Sequence, residues 1–527
     1  MVNGFAPLDW VIVGGYLSVL FGMGWFFSLQ KSKNSRDYFL GGNKMPFWVV
    51  AISVLATTQS AATFLGGPDQ GYRGDYTYVS ANISALIAAF FVAKILVPKF
   101  YALNATTVYD LLAIRIGASA MRAAGGMYLI GRLFASGVRL YMAAIAVSMI
   151  LYSNINADSI ITAAFIMMAL GFLATFLGGI RAVLWSDVVQ FFIYSFSAAA
   201  VLYFLLSEIP ANSNEILDGL RHSPDGQNRL RLLNFEINFS EPFALISVFT
   251  SLTLLYIGNF GLDQDTTQRL LTCKDGKEGG RALIISVVIA IPLVWLFISI
   301  GQLLHVFYDR PELMGADLAS SANQAFNGEK ITIFMYYILN ELPVGLKGLV
   351  TVGVIAATVS SLNSGLNSMS SVIVQDFYRP WREKKSTVTE KHYVYAGQWS
   401  MGFVGIALFL MAILCYYWQK YTDMPLLDFA LSVMIFAYSG LLGVYGTVVF
   451  TKRGSTRSVI LALLVGFIVT LGQQSYVIDT FGLPQAWKGL AFSWQLCIGT
   501  ACAFLVCFAG KTHTSEEAKP KPVALNL

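Results

Sequence analysis

Charge is scarce in this sequence. Only 12% of its 527 residues are Asp, Glu, Lys or Arg, about half the share of a soluble globular chain, which is near a quarter. A protein so poor in ions cannot clothe a water-exposed surface of this size, so a soluble fold is excluded. The net charge of +5 gives no nucleic-acid signal, because its basic residues fall in short clusters between apolar runs. Cysteine and histidine are scarce as well. The five cysteines (Cys273, Cys415, Cys497, Cys502, Cys507) have no paired spacing and sit in or beside apolar runs, as packing residues do. Four scattered histidines, His222, His305, His392 and His513, exclude a His-rich metal centre.

What remains is hydrophobic: 56% of the residues, with a mean hydropathy of +0.62. Apolar blocks of about 20 residues, each long enough to cross a bilayer as a helix, recur along the chain. Thirteen spans are expected, near 9–29, 46–67, 77–98, 121–151, 159–178, 183–206, 243–262, 282–306, 346–374, 395–418, 427–450, 457–473 and 489–509. No small-residue cleavage site follows the first, so it is expected to be retained. Lys and Arg collect on the cytoplasmic side of short loops. Alternate connections hold Lys31, Lys33, Arg36 and Lys44, then Arg269, Lys274, Lys277 and Arg281, then Arg379, Arg382, Lys384, Lys385 and Lys391, then Lys452, Arg453 and Arg457. The amino terminus is therefore expected outside and the carboxyl terminus inside. Two long external connections, 207–242 and 307–345, read as solvated caps, and the charged tail after Gly510 as disordered.

Within the second span stands Ala56-Thr57-Thr58-Gln59-Ser60-Ala61-Ala62-Thr63. Hydroxyls and amides in hydrocarbon must be satisfied by protein or face a watered cavity. Helix packing by small residues explains any single one; the cluster points to a lined site. A second interruption, Tyr256-Ile257-Gly258-Asn259-Phe260-Gly261, follows five spans later. Interrupted helices at matching places in two halves mark inverted repeats around a midplane site. The spans near 46–67 and 243–262 head two sets of five, and an odd number gives the sets opposite orientation.

Three further features lie inside spans. Asp187, about one turn into its helix, costs roughly 2.5–3.5 kcal/mol at a bilayer centre and less near an end. Ser360, Ser361, Asn363, Ser364, Asn367 and Ser368 make an oxygen-rich face at three- and four-residue spacing, suited either to close packing or to a hard cation. Arg139, mid-span, calls for an internal acid or an anionic ligand. Arg132, two turns towards the cytoplasm, reads as interfacial, and Lys94 and Lys99 as snorkelling anchors.

The stretches "DYFLGGNKMPFWVVAISVLATTQSAATFLG", "GGIRAVLWSDVVQ", "LDQDTTQRLL" and "SSLNSGLNSMSSVIVQDFYR" resemble the solute:sodium symporter family over residues 36–380. That resemblance implies an all-α, LeuT-like membrane fold of thirteen helices, in which a 5+5 inverted repeat follows one extra helix. The corresponding parts are 1–45 (first helix and loop), 46–206 (first repeat), 207–242 (external loop), 243–450 (second repeat), 451–510 (two further helices) and 511–527 (tail). It implies Na+ as coupling ion, with a principal site on the carbonyls of Ala56, Gln59 and Ala357 and the hydroxyls of Ser360 and Ser361. The pattern is most similar to the branch of bacterial sodium–sialic acid symporters. By that likeness Thr58, Ser60 and Thr63 hold substrate, Arg139 receives its carboxylate, Phe260 is an inner gate, and Tyr78 and Asn82 stand where the branch has Phe and Gln. Asp187, Ser360, Asn363 and Ser364 would form a second sodium site, Asn363 replacing a serine.

The expectation is a multi-pass protein of a bacterial inner membrane, monomeric and not an enzyme, importing a small organic solute with sodium by alternating access. A carboxylated sugar such as sialic acid leads as solute. A neutral sugar or polyol fits everything except Arg139. A sensor on a transporter scaffold would need a signalling domain that the short tail does not provide, and a membrane enzyme a clustered nucleophile or metal set.

Overall fold

Apolar runs of this length can satisfy their backbone in lipid only as helices or closed barrels, and these are helices. The computed structural model describes residues 5–511 except 30–31, 153, 177, 225, 316–324, 327–328, 331, 387 and 420–425. The expected disorder of the tail concerns 512–527, outside the described residues. The principal elements are α1 (Pro7–Ser28), α2 (Phe47–Thr58), α3 (Ala61–Arg73), α4 (Tyr76–Ala102), α5 (Ala118–Tyr152), α6 (Ala157–Thr175), α7 (Gly179–Glu208), α8 (Leu245–Gly261), α9 (Gln264–Leu270), α10 (Gly276–Asp309), α11 (Ile333–Asn340), α12 (Leu346–Val372), α13 (Glu390–Gln419), α14 (Leu426–Phe450), α15 (Thr456–Gly472) and α16 (Phe492–Phe508). Among the described residues, eight helices are long and apolar enough to cross a membrane, up to eleven if bent pairs are joined, and two shorter apolar helices remain.

Composition decides which helices sit inside. In α12, built of Ser, Gly, Ala, Asn and Val, every residue from Val350 to Val372 is buried, because small side chains let neighbours close on all sides. It packs against α1, α5, α6, α7 and α13. By contrast α13 exposes Trp399, Phe403, Ile406, Leu410 and Leu414, a stripe at helical spacing suited to acyl chains. Helix α1 buries only Asp9, Val13, Tyr16 and Leu20. It is pinned by Asp9, whose carboxylate accepts from the Gly345 and Gly348 amides, both at 2.8 Å, at the start of α12. Helices α3 and α10 approach so closely that a Cβ on Gly301 would overlap the Pro68 carbonyl.

Two breaks organise the centre. Thr57 and Thr58 turn their hydroxyls back onto the carbonyls of Ser53 and Leu55, each at 2.8 Å, a competition that weakens a helix end. Gln59 and Ser60 are then extended (φ −86°, ψ 115°; φ −124°, ψ 178°). Ser60 restarts the chain as the N-cap of α3, accepting from Ala62 N at 3.2 Å. The second break departs from expectation. Tyr256–Gly261 is helical, and the interruption falls at Leu262 and Asp263, beyond the glycines. The reason is the cap: Asp263 is extended and accepts from Asp265 N at 2.9 Å, opening α9 at 59° to α8.

The connection 307–345, expected to be an external solvated cap, is likewise not all solvated. Within it, α11 buries Ile333, Phe334, Met335, Tyr337, Ile338 and Leu339. Its Phe334 joins Phe64, Tyr194 and Phe297 in one aromatic cluster, with Phe64 at 5.2 Å from the Tyr194 and Phe297 rings.

Candidate functional site

At the first break a cavity of about 120 Å³ opens between α2–α3, α4, α5, α8 and α10. The residues read from sequence as substrate-binding, Thr58, Ser60, Thr63, Tyr78, Asn82, Arg139 and Phe260, all line it. Arg139 is buried, at 8% exposure, so its charge acts in low dielectric, where an anion is attracted far more strongly than in water. Asn82 donates to the Val79 carbonyl at 2.8 Å, which leaves its amide oxygen and second N–H for the cavity. Tyr78 is braced edge-on by Phe243, with ring centroids 4.9 Å apart. The structure adds Tyr256, Asn259 and Ser286 to the wall. Asn259 carries a sequence signal, an amide in an apolar run; Tyr256 and Ser286 carry none.

Below the cavity lies a closed ionic layer that sequence reading misplaced. Arg132, expected at the interface, is buried and pairs with Asp263 at 3.2 Å and with Asp265. Tyr438 from α14 donates to the same Asp263 carboxylate. Counting basic residues along the chain registers charge but not depth, and two acids from the second break drew this one inward.

A smaller void of about 10 Å³, the size that admits one water-sized sphere, lies beside the break. Ala56, Gln59, Ala357 and Ser360 line it, with Gln190, Phe191, Tyr194 and Ala356. The extended backbone at Gln59 ends the amide ladder, so the last carbonyls of α2 have no partner in the next turn. These oxygens, at the negative end of a helix dipole, suit a hard cation. Ser360 gives its proton to Asp187 Oδ1 at 2.7 Å, and so keeps lone pairs for the opposite side. Ser361 gives its own to the carbonyls of Ala357 and Thr358, at 3.1 and 3.0 Å. Of the five expected ion ligands, Ala56, Gln59, Ala357 and Ser360 line this small space and Ser361 does not; the oxygens of those four fit sodium as a transported ion.

Asp187, Ser360 and Ser364 do converge, but Asn363 does not join them. Its amide turns to α6, where its NH2 group donates to Gly171 O and Thr175 Oγ1, both at 2.8 Å. Arg269, assigned from sequence to a loop, is wholly buried in their midst. It pairs with Asp187 at 3.3 Å and with Asp265 at 2.7 Å. The spacing of Asp265 and Arg269, four apart on one helix, was the available signal.

A membrane protein built almost wholly of helices, with two interrupted helices flanking a buried polar cavity, has the LeuT-like transporter fold. A solved structure described as the substrate-bound outward-open state of a Na+-coupled sialic acid symporter matches with a TM-score of 0.79 at 23% identity, covering 96% of this chain and 97% of that one. The Mhp1 transporter of the nucleobase-cation-symport-1 family matches with a TM-score of 0.52 at 14% identity, covering 93% and 98%. The family model of the Sodium:solute symporter family matches residues 38–466, and the chain belongs to that family. It is a sodium-coupled membrane transporter, not an enzyme. Relatives include the sodium/sialic acid symporter SiaT of Proteus mirabilis, 26% identical over 89% of this chain and 90% of that protein. Human sodium-coupled monocarboxylate transporter 1 is 23% identical over 89% and 73%.

Proposed function

We propose that this protein imports a small carboxylated sugar, sialic acid foremost, together with sodium across a bacterial inner membrane. The observation that carries the proposal is Arg139, a buried guanidinium in the wall of a cavity otherwise lined by hydroxyls, amides and aromatic rings. A guanidinium fork matches a carboxylate; Thr58, Ser60, Thr63, Tyr78 and Asn82 would serve the sugar's hydroxyl and amide groups. Support comes from the relatives, whose names specify sialic acid or monocarboxylates, carboxylates in both cases.

In this reading sodium binds at Ala56, Gln59, Ala357, Ser360 and Ser361 and steadies the broken helix, whose next residues face the solute. Phe260 closes the pocket from below, and release inward needs the Arg132–Asp263–Asp265 layer to part. The chain would cross the bilayer thirteen times as a monomer, amino terminus outside and carboxyl terminus in the cytoplasm. Its repeats would be 46–206 and 243–450, after one helix in 1–45, with 207–242 external, 451–510 forming two further helices and 511–527 the cytoplasmic tail. The test is binding of N-acetylneuraminate and of a neutral hexose to wild type and Arg139→Ala. Sodium-dependent binding of the acid alone, lost in the variant, is expected; hexose binding indifferent to Arg139 would replace this reading with a neutral-sugar transporter.

A further inference from the structure

Helix α5 carries two buried arginines seven residues apart, Arg139 in the cavity wall and Arg132 in the ionic layer. Two helical turns separate them, about 10 Å along the axis, and Ser136 stands between them on the same stripe. Arg132 gives Nη1 to Asp263 at 3.2 Å and Nη2 to Asp265. Its Nε and the Ser136 hydroxyl are buried and have no hydrogen-bond partner among the described residues. Both abut one spot on α12: a Cβ at Gly365 would lie 3.0 Å from Ser136 Oγ and 3.8 Å from Arg132 Nε. A void of about 10 Å³ borders the same arginine, between Tyr128, Ala135, Asp263 and Tyr438.

The pairing within the layer is one-sided. Asp265 has a second cation, Arg269, at 2.7 Å on its own helix. Asp263 has the Asp265 amide at 2.9 Å. When α9 withdraws with both acids to open the layer, each keeps a partner in its own segment, whereas Arg132 loses both of its carboxylates. A guanidinium left buried and unpaired is strongly unfavourable and draws in an anion. We infer that Arg132 and Ser136 form a transient anion site on the release path, which takes the solute carboxylate that Arg139 gives up. This inference rests on the carboxylated-solute reading and adds a second stop to it. The carboxylate would accept from the Arg132 guanidinium, now rid of its acids, and from the Ser136 hydroxyl. A neutral solute would leave Arg132 uncompensated, so the site also makes opening of the layer selective for acids.

The test compares the two faces of the full-length protein. Sodium-dependent N-acetylneuraminate flux in right-side-out and inside-out membrane vesicles gives a half-saturating concentration for each face. Ser136→Ala removes a hydroxyl that no described group uses. It should raise the inner value about tenfold, the loss of one hydrogen bond to a charged group, and leave the outer value unchanged. Arg132→Gln combined with Asp263→Asn keeps the net charge of the layer, the cap of α9 and the Asp265–Arg269 pair. It should raise the inner value at least about 30-fold. An Arg132 that served only to hold the layer shut would shift both faces alike; equal shifts, or none, would overturn the inference. If the wild-type protein carries no N-acetylneuraminate, the solute reading fails instead, and the site is then read directly. Labelling of Ser136→Cys by a thiol reagent from the inner face should be slowed by pyruvate and not by glucose; equal labelling would overturn the site.

Discussion

At the scale of single residues, the site rests on where protons and charges are committed. Ser361 gives its proton to carbonyls one turn back, and in the proposed ion site its lone pairs would meet sodium. Replacing it with Ala removes one oxygen from a charged contact worth about 1.5–3 kcal/mol, so half-maximal sodium should rise about ten- to hundredfold with folding intact. A sodium titration of binding, read by intrinsic fluorescence, checks it; an unchanged midpoint would remove Ser361 from the ion site. Arg139→Ala should weaken the carboxylate probe at least about 30-fold, matching the loss of 2 kcal/mol or more when one partner of a buried charge pair goes. Sequence made these residues legible because polar groups in an apolar run are rare. Arg269 and Arg132 were misread for the converse reason: an arginine near a span end looks the same whether it faces lipid headgroups or is drawn inward by buried acids, Arg132 by Asp263 and Asp265 and Arg269 by Asp187 and Asp265. Those acids are far away in sequence except Asp265, whose four-residue spacing from Arg269 signals a pair but not its depth.

At the scale of elements, function depends on helices that stop in the right place and on others that touch without spacers. Ser60 caps α3 and Asp263 caps α9, and Asp263 also holds Arg132 and Tyr438. Asp263→Ala should cost about 3–5 kcal/mol by leaving Arg132 short of a partner, seen as a large fall in thermal midpoint. It should also loosen the layer below the cavity, so that a cysteine at Ala135 becomes accessible to a thiol reagent from the cytoplasmic side. A protected cysteine and unchanged midpoint would contradict both roles. Gly301→Ala should cost about 1–3 kcal/mol by overpacking, because the new methyl meets the backbone of α3, which cannot give as a side chain could. The first break was visible in sequence, since hydroxyl, amide and small residues coincide there. The second was displaced by a few residues because glycines mark permissive backbone, while the cap at Asp263 decides where the helix ends.

At the scale of the whole molecule, the apolar blocks foretold a helical membrane protein and the order of its helices. Period and hydropathy report directly on the solvent each segment meets. They said nothing of α11, whose apolar residues are used to fold the connection 307–345 back onto α3. The central claim is that sodium bound at a helix break drives entry of a carboxylated solute into the neighbouring cavity. Proteoliposomes holding the purified chain, loaded with potassium and diluted into sodium with labelled N-acetylneuraminate, measure this directly. Accumulation above equilibrium that disappears when external sodium is replaced by potassium is the expected result. Equal entry in the two salts would contradict it.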